Sequence, residues 1–256
     1  MGLALAPNGF FQAITHRRPT PLCEGGVTKQ QIRLRPATVR RHFNSGRICS
    51  SKRIGPHDQE IISILVGSLL GDGWAEKRNN STRFHFHVSS KNVEYISWLH
   101  NFMYIRNYCS NKKPKYSRQI KTGNKVYFSV KFRTWSFKSL NWLYDIFYHT
   151  DSNGKITKVI PQASKLKILL TPQALAIWFM DDGSVSGSGI RISSNSFNFL
   201  EHEILQDIIY QNFGLTCNIQ KHKKYRILYF PKNQLKLFSN VVKPYILPCM
   251  QYKIHS

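Results

Sequence analysis

Two aspartates in this chain occupy matching places, and their surroundings suit the binding of a divalent cation. Asp72 and Asp182 each follow an apolar run, and each is followed at once by a glycine. An apolar run of about eight to ten residues before a glycine favours a buried helix, so both carboxylates are predicted at helix C-termini. The helix dipole disfavours an anion there, whereas a divalent cation would bind both carboxylates and free helix carbonyls. The pair therefore predicts a metal site, and hence a function beyond support of the fold.

The predicted helices that position these acids have similar sequences and form an internal repeat. The first copy, residues 65–73, reads Leu-Val-Gly-Ser-Leu-Leu-Gly-Asp-Gly, and the second, residues 175–183, reads Leu-Ala-Ile-Trp-Phe-Met-Asp-Asp-Gly. Gly73 and Gly183 stand where a helix commonly ends in a left-handed glycine. We therefore expect two buried helices that each end in an acid followed by a left-handed turn.

The repeated stretches resemble the LAGLIDADG motif of homing endonucleases. Leu65 and Leu175 match its first residue, and Asp72 and Asp182 match its eighth, which is the metal-binding acid of the family. Further segments resemble the organelle-intron branch of that family: Lys158-Val159-Ile160-Pro161, Leu170-Thr171-Pro172, Phe213-Gly214-Leu215, Lys243-Pro244-Tyr245 and Met250-Gln251-Tyr252-Lys253. The resemblance covers roughly residues 57 to 256 and implies one chain with two motifs, whose halves form a pseudo-dimer and which works as a monomer.

The resemblance also implies a reaction and its residues. Asp72 and Asp182 would each bind Mg²⁺, with the backbone carbonyls of Gly71 and Asp181 as further ligands, and divalent metals supply what phosphodiester hydrolysis needs. The family places a lysine near each scissile phosphate, and the motif matches assign these to Lys158 and Lys253; such a lysine could polarise the water or neutralise transition-state charge. The implied activity is cleavage of both strands of a long, specific DNA site, leaving short 3′ overhangs and promoting intron mobility.

The composition fits a nucleic-acid partner. Of the 256 residues, 37 are Lys or Arg and 13 are Asp or Glu, which gives a formal net charge of +24. A charge of this size repels itself unless a polyanion is near. No apolar run approaches the roughly 20 residues that a membrane-spanning helix needs, so no membrane partner is expected. The five cysteines (Cys23, Cys49, Cys109, Cys217 and Cys249) form no C-x-x-C pair, which fits a reducing compartment.

Several predicted strands alternate between an apolar and a basic or polar face. In residues 82–90, Phe84, Phe86 and Val88 alternate with Arg83, His85 and His87, and residues 126–133 repeat the pattern. Two such sheets side by side would form a basic saddle in which arginines read base edges and lysines meet phosphates. The candidate DNA contacts are Arg83, His85, His87, Lys131, Arg133, Arg191, Lys221 and Lys223.

The order of predicted elements is αββαββα, and it occurs twice. The expected fold is therefore mixed α/β (α+β), a tandem pseudo-dimer with two saddle-shaped antiparallel sheets and two central motif helices. We place the first half at residues 56–155 and the second at residues 156–256. Residues 1–55 hold ten basic residues and one acid without a sustained apolar period, which predicts a mostly disordered basic extension. It could be an organelle transit peptide, a reading frame fused upstream, or a basic arm for nucleic acid.

Three functions stay open on the sequence alone. A DNA endonuclease of a mitochondrion or chloroplast is the first. An RNA-binding maturase that assists splicing of its own intron would keep the same basic fold and could keep the acids. A DNA-binding protein without catalysis is the third, and the acids at helix ends argue against it, because drift would have removed an unfavourable charge.

Overall fold

The structure is a computed structural model that describes residues 48–55, 57–121, 125–222 and 225–254. Its helices are α1 (Gln59–Leu70), α2 (Val93–Ile105), α3 (Asn141–Phe147), α4 (Ala163–Leu169), α5 (Pro172–Asp182), α6 (Phe199–Phe213) and α7 (Leu235–Val242). Its strands are β1 (Trp74–Arg78), β2 (Ser81–Ser89), β3 (Lys115–Lys121), β4 (Lys125–Arg133), β5 (Tyr148–Thr150), β6 (Ile156–Lys158), β7 (Gly183–Ser186), β8 (Gly189–Ser193), β9 (Asn218–His222) and β10 (Tyr225–Phe230). The predicted αββαββα order is confirmed in both halves. The short β5–β6 hairpin and α4 join the halves.

The motif helices α1 and α5 lie at the centre of the molecule. Asp58 caps α1 by accepting from the amide of Ile61 at 2.8 Å, and Thr171 caps α5 ahead of Pro172 in the first turn. All residues of α1 from Ile61 to Leu70 are buried, so this helix has no solvated face. A helix that is apolar all round belongs in a core, as the sequence predicts.

The two motif helices run side by side in the same direction. Near their starts, the hydroxyl of Thr171 donates to that of Ser63 at 2.8 Å. One turn further on, a Cβ atom built on Gly67 would lie 2.4 Å from the carbonyl oxygen of Ala174. At the far end, a Cβ atom on Gly71 would lie 2.8 Å from a carboxylate oxygen of Asp181. Contact along the whole length brings the two C-terminal ends together.

Each half contributes one four-stranded antiparallel sheet. The strand orders are β1-β2-β4-β3 and β7-β8-β10-β9, so the second half repeats the topology of the first. Phe84, Phe86 and Val88 of β2 are buried, as the alternation predicts. On β4 the predicted apolar face is only partly covered, because Val130 is buried whereas Val126 and Phe128 are exposed. The inner ends of both sheets pack into a core shared with the motif helices.

The predicted left-handed turns at Gly73 and Gly183 are wrong. Gly183 has φ −78°, and the glycines with positive φ among the described residues are Gly154, Gly187 and Gly214. Gly73 and Gly183 are required for space instead. A Cβ atom on Gly183 would lie 2.0 Å from the Phe179 ring, and one on Gly73 would lie 2.8 Å from the Ser68 carbonyl oxygen. Both positions lack room for a side chain, because the strand that follows each helix turns back close against it.

Residues 50–53, which belong to the predicted extension, contact the first half. Ser50–Lys52 forms one 3₁₀ turn, and Arg53 donates from Nη1 to the carbonyl oxygen of Ser136 at 2.8 Å. The same guanidinium lies 5.5 Å from the centre of the Trp135 ring. Most of the predicted basic extension, residues 1–47, lies outside the described residues, so the prediction of disorder stays a prediction.

Candidate active site and nucleic-acid interface

The two predicted catalytic acids come together at the ends of the motif helices. Asp182 is the last residue of α5, whereas α1 ends at Leu70 and Asp72 follows in the turn before β1. Asp72 is exposed at the site and Asp182 is partly buried, and the charge of Asp72 acts directly on Asp182. The predicted position at a helix C-terminus is found for Asp182, whereas Asp72 lies two residues beyond the end of its helix.

Both carboxyl groups are harder to ionise than usual, because desolvation raises the pKa of each. Burial raises the pKa of Asp182 to about 7, and the neighbouring charge of Asp72 adds to that rise, while Lys158 and Lys253 oppose it. Burial likewise raises the pKa of Asp72, against the opposing effects of Lys158, Lys253 and His87. Two neighbouring carboxyl groups that resist ionisation are stabilised in the charged form by any cation that binds between them.

Each predicted lysine contacts the end of one motif helix. Lys158, the last residue of β6, donates from Nζ to the carbonyl oxygens of Gly71 at 3.1 Å and Gly73 at 2.8 Å. Lys253, in the 3₁₀ segment Pro248–Lys253, donates to the carbonyl oxygens of Met180 at 2.5 Å and Asp181 at 3.3 Å. Burial lowers the pKa of both ammonium groups, while the aspartates oppose the shift. The lysines thus occupy equivalent places in the two halves.

A third carboxyl group, Asp181, lies at the contact between the two motif helices. It lies against Gly71 of the other motif, where only glycine leaves room. Burial and the charge of Asp72 raise the pKa of Asp181 well above its usual range, and an interaction with the Tyr95 hydroxyl offsets part of this rise. Sequence reasoning missed Tyr95, which is fully buried on α2. Helical spacing marks it as one more core residue, and no local signal points it at an acid.

The donor set fits a hard divalent cation that keeps part of its water shell. Among the described residues no group of three or more His, Cys, Asp or Glu side chains is arranged to hold a metal. Mg²⁺ is commonly bound through only one or two carboxylates, with water and substrate phosphate completing its coordination. Asp72 and Asp182 provide such carboxylates. The carbonyl oxygens of Gly71 and Asp181, predicted as further ligands, accept hydrogen bonds from Lys158 and Lys253.

Five of the predicted DNA contacts share one face of the first sheet. His85 pairs with Arg133 and His87 with Lys131 across β2 and β4, while Arg83 pairs with Glu76 of β1. Since paired residues lie on the same side of a sheet, these side chains form one surface, which we call the polar face of the first sheet. Lys131 and Arg133 are exposed there.

An acid that sequence reasoning missed organises one end of this face. Glu76 accepts from Arg83 Nε at 2.7 Å and from His85 Nε2 at 3.1 Å, and it also pairs with Arg78. The Trp74 ring stacks on His85 at 4.8 Å between ring centres. Alternation along β1 could have placed Glu76 on this face. Arg83 and His85 are thereby held in fixed orientations, whereas Lys131 and Arg133 remain exposed.

The second sheet confirms one predicted placement and corrects another. Arg191 pairs with Tyr229 and Ser184, and its Nε donates to the Ser184 hydroxyl at 3.0 Å. Lys221 pairs with Arg226 on β10. Arg226 and Tyr229 are an odd number of residues apart, so their side chains lie on opposite faces of the sheet. Lys221 therefore lies on the opposite face from Arg191, which pairs with Tyr229. The predicted placement of Lys221 on the polar face is therefore wrong. Lys223 lies outside the described residues.

A duplicated αββαββα chain with paired acids at two central helix ends is a pseudo-dimeric, two-motif architecture. The model of the LAGLIDADG DNA endonuclease family matches residues 62–238, and the chain belongs to this family.

Individual relatives carry two kinds of name. The chain is 34% identical over 210 residues to "Cytochrome b mRNA maturase bI2" of Saccharomyces cerevisiae, a match that covers 80% of this chain and 49% of that protein. The chain thus spans about half the length of that relative. It is 33% identical over 161 residues to "Intron-encoded endonuclease ai4" of Dictyostelium discoideum, covering 61% of this chain and 98% of that protein.

A solved structure confirms the fold. The homing endonuclease I-WcaI, bound to its DNA recognition sequence, superposes with a TM-score of 0.68 at 24% identity. The match covers 80% of this chain and 90% of that one. The mixed α/β fold with two antiparallel sheets is therefore that of a LAGLIDADG homing endonuclease.

Proposed function

We propose that this chain is a site-specific DNA endonuclease that cuts both strands of a duplex with the help of Mg²⁺. One observation carries the proposal: the motif helices bring Asp72 and Asp182 close enough for the charge of one to act on the other, and one lysine contacts each helix end. The fold has no need of acids in such a place, since burial and repulsion raise the pKa of Asp182 to about 7. Residues that cost stability and meet so closely are typical of a catalytic centre.

The aspartates and the lysines have different proposed roles in hydrolysis. Asp72 and Asp182 would hold Mg²⁺, which when bound activates water and stabilises the leaving oxygen. Lys158 and Lys253 place a positive charge beside each helix end, where it can neutralise charge that develops on a scissile phosphate. One acid and one lysine from each half would serve one DNA strand. The chain thereby acts as a monomer that carries both half-sites.

The polar faces of the sheets supply recognition. Exposed cations such as Lys131 and Arg133 contact phosphates and base edges, and they act together with a net charge of +24. The related I-WcaI structure contains its DNA recognition sequence. Intron-encoded relatives support an origin in an organelle intron, where cleavage would promote mobility. Across the described residues, none of the helices has the length and apolar character needed to cross a membrane.

A cleavage assay on a plasmid library with randomised inserts tests the proposal and requires no assumption about the target sequence. The purified chain is incubated with the library in Mg²⁺ or in EDTA, and the cut ends are sequenced. We expect cut ends to converge on one long sequence in Mg²⁺ only, with the two strands cut a few bases apart.

Matched variants connect this activity to the site. Asp72→Asn with Asp182→Asn keeps shape and hydrogen bonding but removes both anions, and we expect it to abolish cutting while duplex binding persists. Asp207→Asn, an exposed acid on α6, should cut as the wild type does. Cutting by the double variant in Mg²⁺ would refute the assignment of the acids.

The maturase relative favours a second candidate function, assistance to the splicing of the chain's own intron RNA. That relative is 34% identical and covers 80% of this chain. A gel shift with the intron transcript and a splicing assay would test this function. A chain that fails to cut any library member but accelerates splicing would replace the first proposal with this one.

A further inference from the structure

The hairpin formed by β3 and β4 exposes an apolar and aromatic strip on the side opposite the polar face. Tyr116, Arg118 and Ile120 of β3 share this side with Val126 and Phe128 of β4. These side chains are direct neighbours across the two strands, because Arg118 lies opposite Phe128 and Ile120 lies opposite Val126. We call these five residues the hairpin strip.

Helix α2 covers the inner part of this face of the sheet, and the strip is the part of the same face that extends beyond α2. Phe132 packs edge-on against the His100 ring of α2 at 5.2 Å, and Val130 is 1% exposed. Further along the same face, Phe128 is 52% exposed and Tyr116 is 67% exposed. Contiguous exposed apolar residues of this size are uncommon on a soluble protein and generally mark a binding surface.

The charge around the strip identifies the class of partner. Residues 111–133 contain eight lysines and arginines and no acid. A second copy of this hairpin would bring equal charge against it, which opposes self-association through the strip. A polyanion is attracted instead, and aromatic rings beside a guanidinium are the groups on which unpaired bases stack.

We propose that the hairpin strip binds single-stranded RNA by stacking bases on Tyr116 and Phe128, with Arg118 between them. RNA is the nucleic acid that presents unpaired, unstacked bases in loops and bulges, whereas the bases of a DNA duplex are not accessible to stacking. The pairing register sets the strip and the polar-face cations Lys131 and Arg133 on opposite sides of one sheet. RNA and a DNA duplex therefore bind the same chain at once. The inference extends the second candidate function and does not depend on cleavage.

Fluorescence anisotropy on the full chain tests the proposal with two probes, an unstructured RNA of about 20 nucleotides and a DNA duplex of similar length. The double variant Tyr116→Leu with Phe128→Leu keeps charge and apolar surface but removes the rings. We expect it to weaken RNA binding about tenfold or more and to leave duplex binding within about twofold. The matched variant Tyr210→Leu with Tyr245→Leu removes two exposed rings outside the strip and should bind RNA as the wild type does.

Four outcomes would overturn the proposal. These are unchanged RNA binding by the Tyr116→Leu, Phe128→Leu variant, an equal loss of duplex binding by that variant, an equal loss of RNA binding by the Tyr210→Leu, Tyr245→Leu variant, and displacement of RNA by saturating duplex. Ultraviolet crosslinking of the wild type to the RNA, read by mass spectrometry, gives a test that needs no variant. Crosslinks on Tyr116 or Phe128 support the strip, whereas crosslinks confined to the polar face refute it. Cleavage, measured separately, decides the proposed endonuclease independently.

Discussion

Gly67 and Ile177 fill one space at the centre of the molecule, because a Cβ atom built on Gly67 would lie 2.7 Å from the Cβ atom of Ile177. The two motif copies are thus not equivalent at the helix contact. Glycine in the first copy leaves the room that isoleucine takes in the second. The same hypothetical Cβ would lie 2.4 Å from the backbone oxygen of Ala174, which cannot rotate away. The close approach of the helices at this level therefore depends on Gly67.

Gly67→Ala should destabilise the fold by about 1–3 kcal/mol, because the added methyl group forces two backbones apart. Urea unfolding followed by circular dichroism measures the change. Ser68→Ala, at the next position of the same buried helix, is the control. Its hydroxyl has no hydrogen-bond partner within the described part of the chain, so removing it should leave stability unchanged or slightly higher. A Gly67→Ala protein as stable as the wild type would show that the helices can separate freely.

Asp182→Asn should stabilise the protein, and by more at high pH than at low pH. The pKa of Asp182 is raised to about 7, so between about pH 4 and 7 the native state holds more protons at this group than the unfolded chain. The carboxyl group therefore lowers the free energy of unfolding as the pH rises through that window, by up to about 4 kcal/mol in all. Urea unfolding in EDTA at about pH 4 and about pH 8 should show the gain mainly at the higher pH.

A matched acid separates this effect from a general loss of negative charge. Asp207→Asn removes an exposed carboxylate on α6 and should give no gain that grows with pH. A gain for Asp182→Asn of the same size at both pH values would contradict the shifted titration of Asp182.

Mg²⁺ should raise the melting temperature of the wild type without any DNA present. A cation that binds the native state alone stabilises it in proportion to the logarithm of its concentration. The double variant Asp72→Asn with Asp182→Asn should show no such rise, because both carboxylates proposed to bind the metal are removed. A differential scanning fluorimetry titration with Mg²⁺, and with K⁺ at equal ionic strength, measures this. Equal responses of wild type and variant would place the bound metal elsewhere.

The sequence predicted the duplicated elements and the acids well because these depend on local patterns. A buried run ending in an acid is visible at once, and so is the alternation that buries Phe84 and Phe86. Pairing between strands is a long-range property and was less accessible. Lys221 was assigned to the polar face, although it shares a side with its near neighbour Ile219. The same alternation, applied to Ile219, would have given the correct face.

Contacts between distant segments could not be predicted at all. The hydroxyl of Tyr95 acts on the pKa of Asp181 from a helix 86 residues earlier, and nothing in its own neighbourhood indicates this. Gly73 and Gly183 were recognised as special for the wrong reason. Backbone conformation was expected to require them, whereas the closeness of Ser68 and Phe179 does. Such spatial demands appear only once the helix and the following strand are packed.

The corrected faces lead to a prediction about DNA binding. Lys131→Gln, on the polar face of the first sheet, should reduce the slope of log K against log salt by about 0.9, since one phosphate contact is lost. Lys221→Gln, on the opposite face of the second sheet, removes the same charge and should leave that slope unchanged. Anisotropy titrations with one duplex at several salt concentrations measure both. Equal slopes for the two variants would mean that DNA does not select the polar face.

Single lysine variants should turn double-strand cutting into nicking, each on a different strand. Lys158 contacts the first motif through Gly71 and Gly73, and Lys253 contacts the second through Met180 and Asp181. Methionine keeps the length of the side chain but removes the charge. If each lysine serves the acid of one motif, Lys158→Met and Lys253→Met slow opposite strands by about a hundredfold or more, as expected for loss of one charge-stabilising group.

A supercoiled plasmid that carries the selected site gives the readout, with nicked circles mapped by strand-specific primer extension. Lys155→Met, an exposed lysine close to Lys158 in sequence, should cut both strands normally. Melting curves must show that both buried variants stay folded, because each leaves two helix-end carbonyl groups without their lysine partner. Equal slowing of both strands by either variant would show that the two lysines act on one shared site. Nicking of the same strand by both variants would contradict the division of the chain into two catalytic halves.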